Sequence, residues 1–102
     1  MKVELLYFDE CPSYQAAEML LREALTEEGQ SAEIVKIKIE NDAEAQRWKF
    51  LGSPTIRFDG VDPFQQGIND YGLECRVFVT PNGLQGWPTK AMLRSVIKDM
   101  IG

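Results

Sequence analysis

Apolar and polar positions recur along this chain with two periods, and each switch between them marks a new element. Val3-Glu4-Leu5-Leu6-Tyr7-Phe8 is an almost unbroken apolar run, the pattern of a strand buried on both faces. From Pro12 to Glu28 the period becomes helical, with Tyr14, Ala17, Leu20, Leu21, Ala24 and Leu25 on one stripe. Pro12 suits the first helical position and Gly29 the left-handed stop. Glu33–Ile39 reads as a strand, with Val35, Ile37 and Ile39 on one face and lysines between them. The next helix is expected to be capped by Asn41, with Glu44 three positions on in a capping-box arrangement. It carries Ala45, Trp48 and Leu51 and ends near Gly52.

The second half is patterned differently. Thr55-Ile56-Arg57-Phe58 is a short strand closed by Asp59-Gly60. Residues 61–74 are rich in Gly, Asp, Asn and Gln, with Phe64, Ile68 and Tyr71 among them. Those large apolar residues need something to cover, so the stretch reads as an ordered insertion. Arg76–Thr80 is a strand, Pro81-Asn82-Gly83 a turn, and Pro88–Ile101 a final helix. The core face of that helix is Leu93, Val96, Ile97 and Met100, and Trp87 packs on the core at its start. The predicted order is βαβα followed by ββα in an α/β domain spanning residues 1–102, a length suited to a single core.

Charge narrows the partners. The formal net charge is −5 and no Lys/Arg cluster is present, which argues against nucleic acid and anionic membrane. The run Val3–Phe8 is too short to span a bilayer, and the first strand begins almost at Met1, so no cleavable leader is expected. Cytoplasm is the expected location. The pattern says nothing of oligomeric state.

The chain has no histidine, which removes Cys–His and Ser–His pairs, imidazole metal ligands and histidine bases. Asp42, Glu44 and Glu40 read as helix-cap partners, and Asp59, Asp62 and Asp70 as turn residues, so no metal site is expected. The two cysteines, Cys11 and Cys75, are too far apart in sequence to resemble a paired zinc motif. Cys11 lies where the first strand meets the first helix. Free backbone N–H groups and the helix dipole favour a thiolate there. Asp9 and Glu10 immediately before it oppose that effect. The balance is close to even unless Arg57 or Arg76 turns toward the sulfur.

Cys11-Pro12-Ser13-Tyr14 resembles the glutaredoxin active-site tetrad, and Gly52-Ser53-Pro54-Thr55-Ile56-Arg57-Phe58-Asp59-Gly60 resembles the stretch of thioredoxins and glutaredoxins holding their cis-proline, third strand and turn. Gly72-Leu73-Glu74-Cys75-Arg76-Val77 is similar to a segment of small bacterial thioredoxin-like proteins. The chain as a whole, apart from residues 61–74, thus resembles the thioredoxin superfamily.

That resemblance implies a βαβαββα fold: a four-stranded mixed sheet flanked by helices, with the insertion between strands three and four. It implies a cis Ser53–Pro54 bond facing Cys11, with Ser53, Pro54 and Thr55 forming the rim that receives an extended substrate. It implies Cys11 as nucleophile. The second cysteine of the dithiol motif is replaced by Tyr14, which leaves a single-thiol cycle and makes Tyr14 a possible auxiliary group. In the implied sheet Cys75 begins strand four at the opposite rim, roughly 15 Å from Cys11, so it is expected to be a buried core cysteine. It remains an auxiliary candidate only if the insertion shifts it.

Two functions follow as expectations. One is a monothiol thiol–disulfide oxidoreductase acting on protein or glutathione disulfides, without a resident cofactor and with glutathione as a possible co-substrate. The other is a non-enzymatic module that binds a partner protein or a soft metal ion through cysteine thiolate.

Overall fold

The computed structural model describes residues 1–64 and 71–101. Its elements are β1 (Lys2–Tyr7), α1 (Ser13–Glu27), β2 (Glu33–Lys38), α2 (Asp42–Trp48), β3 (Thr55–Phe58), β4 (Phe78–Thr80), β5 (Gly83–Gln85) and α3 (Lys90–Ile101). The apolar run of β1 makes it the central strand. It pairs in parallel with β2, Leu5 opposite Lys36, and antiparallel with β3, Leu5 opposite Ile56. Alternation along β1 then divides the interior. Val3 and Leu5 join Ile56 and Phe58 of β3 under α1 and α3, where Ala17, Leu21, Ala24, Leu25, Leu93 and Ile97 complete the larger core. Leu6 faces the other way and packs with Ile39, Ala45 and Phe50 beneath α2. Helices therefore cover both faces of a mixed sheet. Among the described residues, no helix is long and apolar enough to cross a membrane.

The helix ends follow local chemistry. α1 closes in a Schellman turn, with Gln30 N–H donating to Leu25 O at 2.9 Å, Gly29 N–H to Thr26 O at 3.0 Å, and Gly29 left-handed. Asn41 caps α2 as expected: its Oδ1 accepts from Glu44 N–H at 2.9 Å, while the Glu44 carboxylate accepts from Glu40 N–H at 2.8 Å. That helix stops at Trp48 rather than near Gly52, because Lys49 turns left-handed and sends Phe50 fully into the smaller core. α3 starts at Lys90, capped by Thr89, whose hydroxyl accepts from Met92 N–H at 3.2 Å. Its inner face is Leu93 and Ile97 with Val96 beside them, and Trp87 packs there too. Met100, expected in the core, is 41% exposed.

The expected four-stranded sheet differs from what is found. The β2-β1-β3 sheet has three strands, and β4 pairs with β5 in a separate hairpin, Val79 opposite Leu84. The turn at Pro81-Asn82 is present as expected, but Gly83, read as part of it, opens the strand Gly83–Gln85. After β3 the chain reverses at Asp59 and Gly60, both left-handed, so that Phe58 and Val61 exchange backbone hydrogen bonds. Of the 61–74 insertion, residues 65–70, including Ile68 and Asp70, lie outside the described residues. Phe64 stacks edge-on against Phe78 at 5.7 Å and joins the larger core, as its apolar character required.

Candidate functional site

Cys11 sits in the turn that carries the chain from β1 into α1, its N–H donating to Phe8 O at 3.3 Å. Pro12 takes the N-cap position rather than the first helical one, and no side chain caps the helix. α1 also lacks an acidic residue in its first turn. The dipole and N–H groups at this end are therefore left without a side-chain acceptor beside the sulfur. Cys11 is 1% exposed. The Ser13 hydroxyl lies 3.9 Å from its sulfur and Ser53 O lies 3.7 Å away.

Cys75 is bonded to Cys11, with Cα atoms 5.8 Å apart across 64 positions of sequence. This corrects the expectation that Cys75 is a core residue at the far rim of the sheet. That expectation assumed strand four would run antiparallel beside β3. Instead the segment approaching Cys75 runs parallel to the chain at Ser53: Ser53 N–H donates to Glu74 O at 2.8 Å, and Arg76 N–H donates to Ser53 O at 3.0 Å. With the disulfide formed, Cys11 has no proton to give, so its approach to Ser53 O is a contact that only the thiol could turn into a hydrogen bond.

Two further features hold that segment in place. Gly52 has φ +116°, and a Cβ there would come within 3.0 Å of Glu74 O and 3.1 Å of the Arg76 Cβ, so the absent side chain makes room for the crossing. Arg76 reaches inward to Asp62 at 2.6 Å, with side chains only 6% and 5% exposed, and its guanidinium lies over the Phe78 ring at 4.6 Å. From there the burial alternates: Cys75, Val77 and Val79 face outward while Arg76, Phe78 and Thr80 face inward. Cys75 is an exposed residue.

Of the other anticipated residues, Ser53 touches the Cys11 sulfur, whereas Tyr14, Arg57 and Arg76 turn elsewhere. The Ser53–Pro54 peptide is cis. Ser53, Pro54 and Thr55 are all buried. Ser53 Oγ accepts from Phe8 N–H at 3.4 Å, and Thr55 Oγ1 donates to Gly52 O at 2.6 Å. The backbone N–H and C=O of Ser53, expected to receive an outside segment, are taken by Glu74 and Arg76 of the same chain. Tyr14 does not shelter the sulfur; it stacks on Tyr7 at 4.3 Å, with the Lys36 ammonium near both rings. Neither candidate cation turns to Cys11. Arg57 donates to the carbonyls of Trp48 and Lys49 at the end of α2, and Arg76 is held by Asp62.

Residues just before Cys11, the end of β2 and Leu73 line a cavity of about 310 Å³, bordered by Phe8, Asp9, Glu10, Lys38, Ile39, Glu40 and Leu73. Lys38 is the one cation among the described residues that border it. It pairs with Asp9 at 2.7 Å, and that hydrogen bond raises its pKa. Among the described residues no group of three or more His, Cys, Asp or Glu side chains could hold a metal ion.

The sequence signal for Cys75 was present but muted. Alternation from Cys75 to Thr80 is a strand pattern, yet its inward position 76 holds an arginine whose partner, Asp62, reads by sequence as a turn residue. No family model, curated protein or solved structure matches this chain.

Proposed function

We propose that this chain is a thiol–disulfide oxidoreductase of thioredoxin-like architecture, in which Cys11 and Cys75 exchange two electrons with an outside thiol by opening and closing their shared bond. The observation that carries the reading is the pairing of a buried sulfur at an uncapped helix end with a second sulfur on the surface. The single-thiol cycle gives way to a two-sulfur one, because Cys75 is within bonding reach. In the reductive direction, two thiols R–SH give R–S–S–R, and the protein disulfide takes up the two electrons and two protons as a dithiol. Thiolate character at Cys11 is favoured by the helix end and opposed by the neighbouring carboxylates, of which Asp9 is offset by Lys38.

The test is a native redox titration. The folded protein is equilibrated in thiol/disulfide buffers of graded ratio, quenched in acid, alkylated and weighed. A reversible two-electron transition is expected, together with catalysed reduction of a protein disulfide that Cys11→Ser and Cys75→Ser both abolish. A bond that opens only when the protein is unfolded would reduce the disulfide to a structural staple.

The short Cys11–Cys75 approach also favours a second reading, in which the reduced pair holds a soft, two-coordinate ion such as mercury(II) or copper(I) between thiolates. It predicts one ion per reduced chain, retained against excess monothiol and lost from either single-cysteine variant.

A further inference from the structure

We infer that exchange begins at Cys75 and that Cys11 is the sulfur that departs and later re-forms the bond, an assignment that rests on the redox reading above and reverses the role the sequence suggested for Cys11. Thiol–disulfide exchange is an in-line displacement, so the attacking sulfur approaches along the S–S axis from the side opposite the leaving sulfur. Attack on Cys75 comes from its exposed side. Attack on Cys11 would have to come from behind a residue that is 1% exposed, with Ser53 O and the Ser13 hydroxyl already against its sulfur.

This asymmetry does not depend on the disulfide itself. The Glu74–Ser53–Arg76 backbone bridge and the buried Arg76–Asp62 pair hold the segment over Cys11 by contacts that reduction leaves intact. Strand alternation keeps Cys75 outward because Arg76 and Phe78 are fixed inward. Cys11 therefore stays covered in both redox states. Its position also suits departure: the uncapped α1 N-terminus and the Ser13 hydroxyl can receive the electron pair as thiolate charge, and a better stabilised thiolate leaves faster.

The steps balance. An outside thiolate R–S⁻ bonds to Cys75 Sγ, the Cys75–Cys11 bond breaks, and Cys11 departs as thiolate. A second R–S⁻ attacks the R sulfur of the mixed disulfide, forming R–S–S–R and releasing Cys75 thiolate. In reverse, Cys75 thiolate attacks R–S–S–R and expels R–S⁻. Cys11 thiolate then closes on Cys75 and expels the second R–S⁻.

The oxidised wild-type protein is exposed briefly to 2-mercaptoethanol, quenched in acid, alkylated and digested with trypsin. Cleavage after lysine and arginine places Cys11 in residues 3–22 and Cys75 in residues 58–76. The mercaptoethanol adduct is expected on 58–76, with alkylated Cys11 on 3–22. In parallel, native Cys11→Ser, whose one thiol is Cys75, should react with an aromatic disulfide reagent at least about tenfold faster than native Cys75→Ser, since access governs the rate. An adduct on 3–22 overturns the assignment while leaving the redox function standing. So does a faster Cys75→Ser protein. A native disulfide inert to the thiol overturns the redox reading and this assignment with it. Mapping on the wild-type chain keeps the result decisive even if a variant folds poorly.

Discussion

The two sulfurs reach one point by opposite routes. Cys11 is delivered by a strand and a helix adjacent in sequence, so its place follows from β1 being central and α1 starting at Ser13. Cys75 arrives on a stretch outside any named strand and is held by contacts far away in the chain: Ser53, Gly52 and Asp62. The comparison teaches that half of the site is built by local rules and half by tertiary ones. Disturbing the tertiary half should move Cys75 and leave Cys11 where it is.

The largest break should come from Arg76→Ala. It strands the buried Asp62 carboxylate without its partner, which typically costs about 3–5 kcal/mol. Urea unfolding of the reduced protein measures that loss, and closure of the disulfide after reduction should slow in parallel. Arg76→Met combined with Asp62→Leu removes both charges and should recover much of the stability. If closure recovered equally, apolar packing alone would suffice to place Cys75. Next in size is reduction of the disulfide. Its 64-position separation sets a ceiling of about 4 kcal/mol on the loss, with about 2–4 kcal/mol typical, read as the difference between oxidised and reduced unfolding curves.

Gly52→Ala tests the crossing itself. Alanine at φ +116° is strained, and its Cβ would press on the Glu74 carbonyl, a backbone atom that cannot simply swing aside. About 1–3 kcal/mol of stability should be lost, with slower disulfide closure. Asn41→Ala is the contrasting local change. It removes the cap of α2 at about 1 kcal/mol and should leave the exchange rate untouched, because that helix end does not touch either sulfur. A slowed exchange in that variant would blur the division drawn here.

What could be read in advance divides along the same line. The buried run of β1, the Asn41–Glu44 cap and the Gly29 stop are local patterns that residue types announce directly. Leu93 and Ile97 were legible for the same reason, whereas Met100 lies so near the helix end that periodicity alone overstated its burial. Cys11 at a strand–helix junction was equally plain. The position of Cys75 was not, since it depends on the parallel bridge between its segment and Ser53, and pairing across a long connection is not encoded in any local run. Asp62 carried the needed information, but as one acidic residue among several near turns it could not be singled out until Arg76 was found beside it. Ser53 was recognised, yet its backbone serves the chain's own segment rather than an open rim.

The smallest effect, and the one that best resolves the two sides, concerns the charge of the incoming thiol. The turn before Cys11 contributes Asp9 and Glu10 to a cavity that Glu40 also borders, Glu74 precedes Cys75, and Lys38 is the single cation among the described residues of that cavity. In water each unit charge about 7–10 Å away alters the approach of a charged reactant by roughly 0.5 kcal/mol. Cysteamine should therefore reduce the disulfide faster than 2-mercaptoethanol, and 2-mercaptoethanesulfonate slowest, once each rate is corrected for its thiolate fraction. A spread of about two- to fivefold per unit charge is expected at low salt, shrinking as the Debye length falls below about 10 Å above 0.1 M. Glu10→Gln should narrow the spread if Cys75 is attacked across this cavity. A spread that ignores both salt and Glu10 would mean that thiols reach the bond only after the Cys75 segment swings away, making the tertiary half of the site a gate.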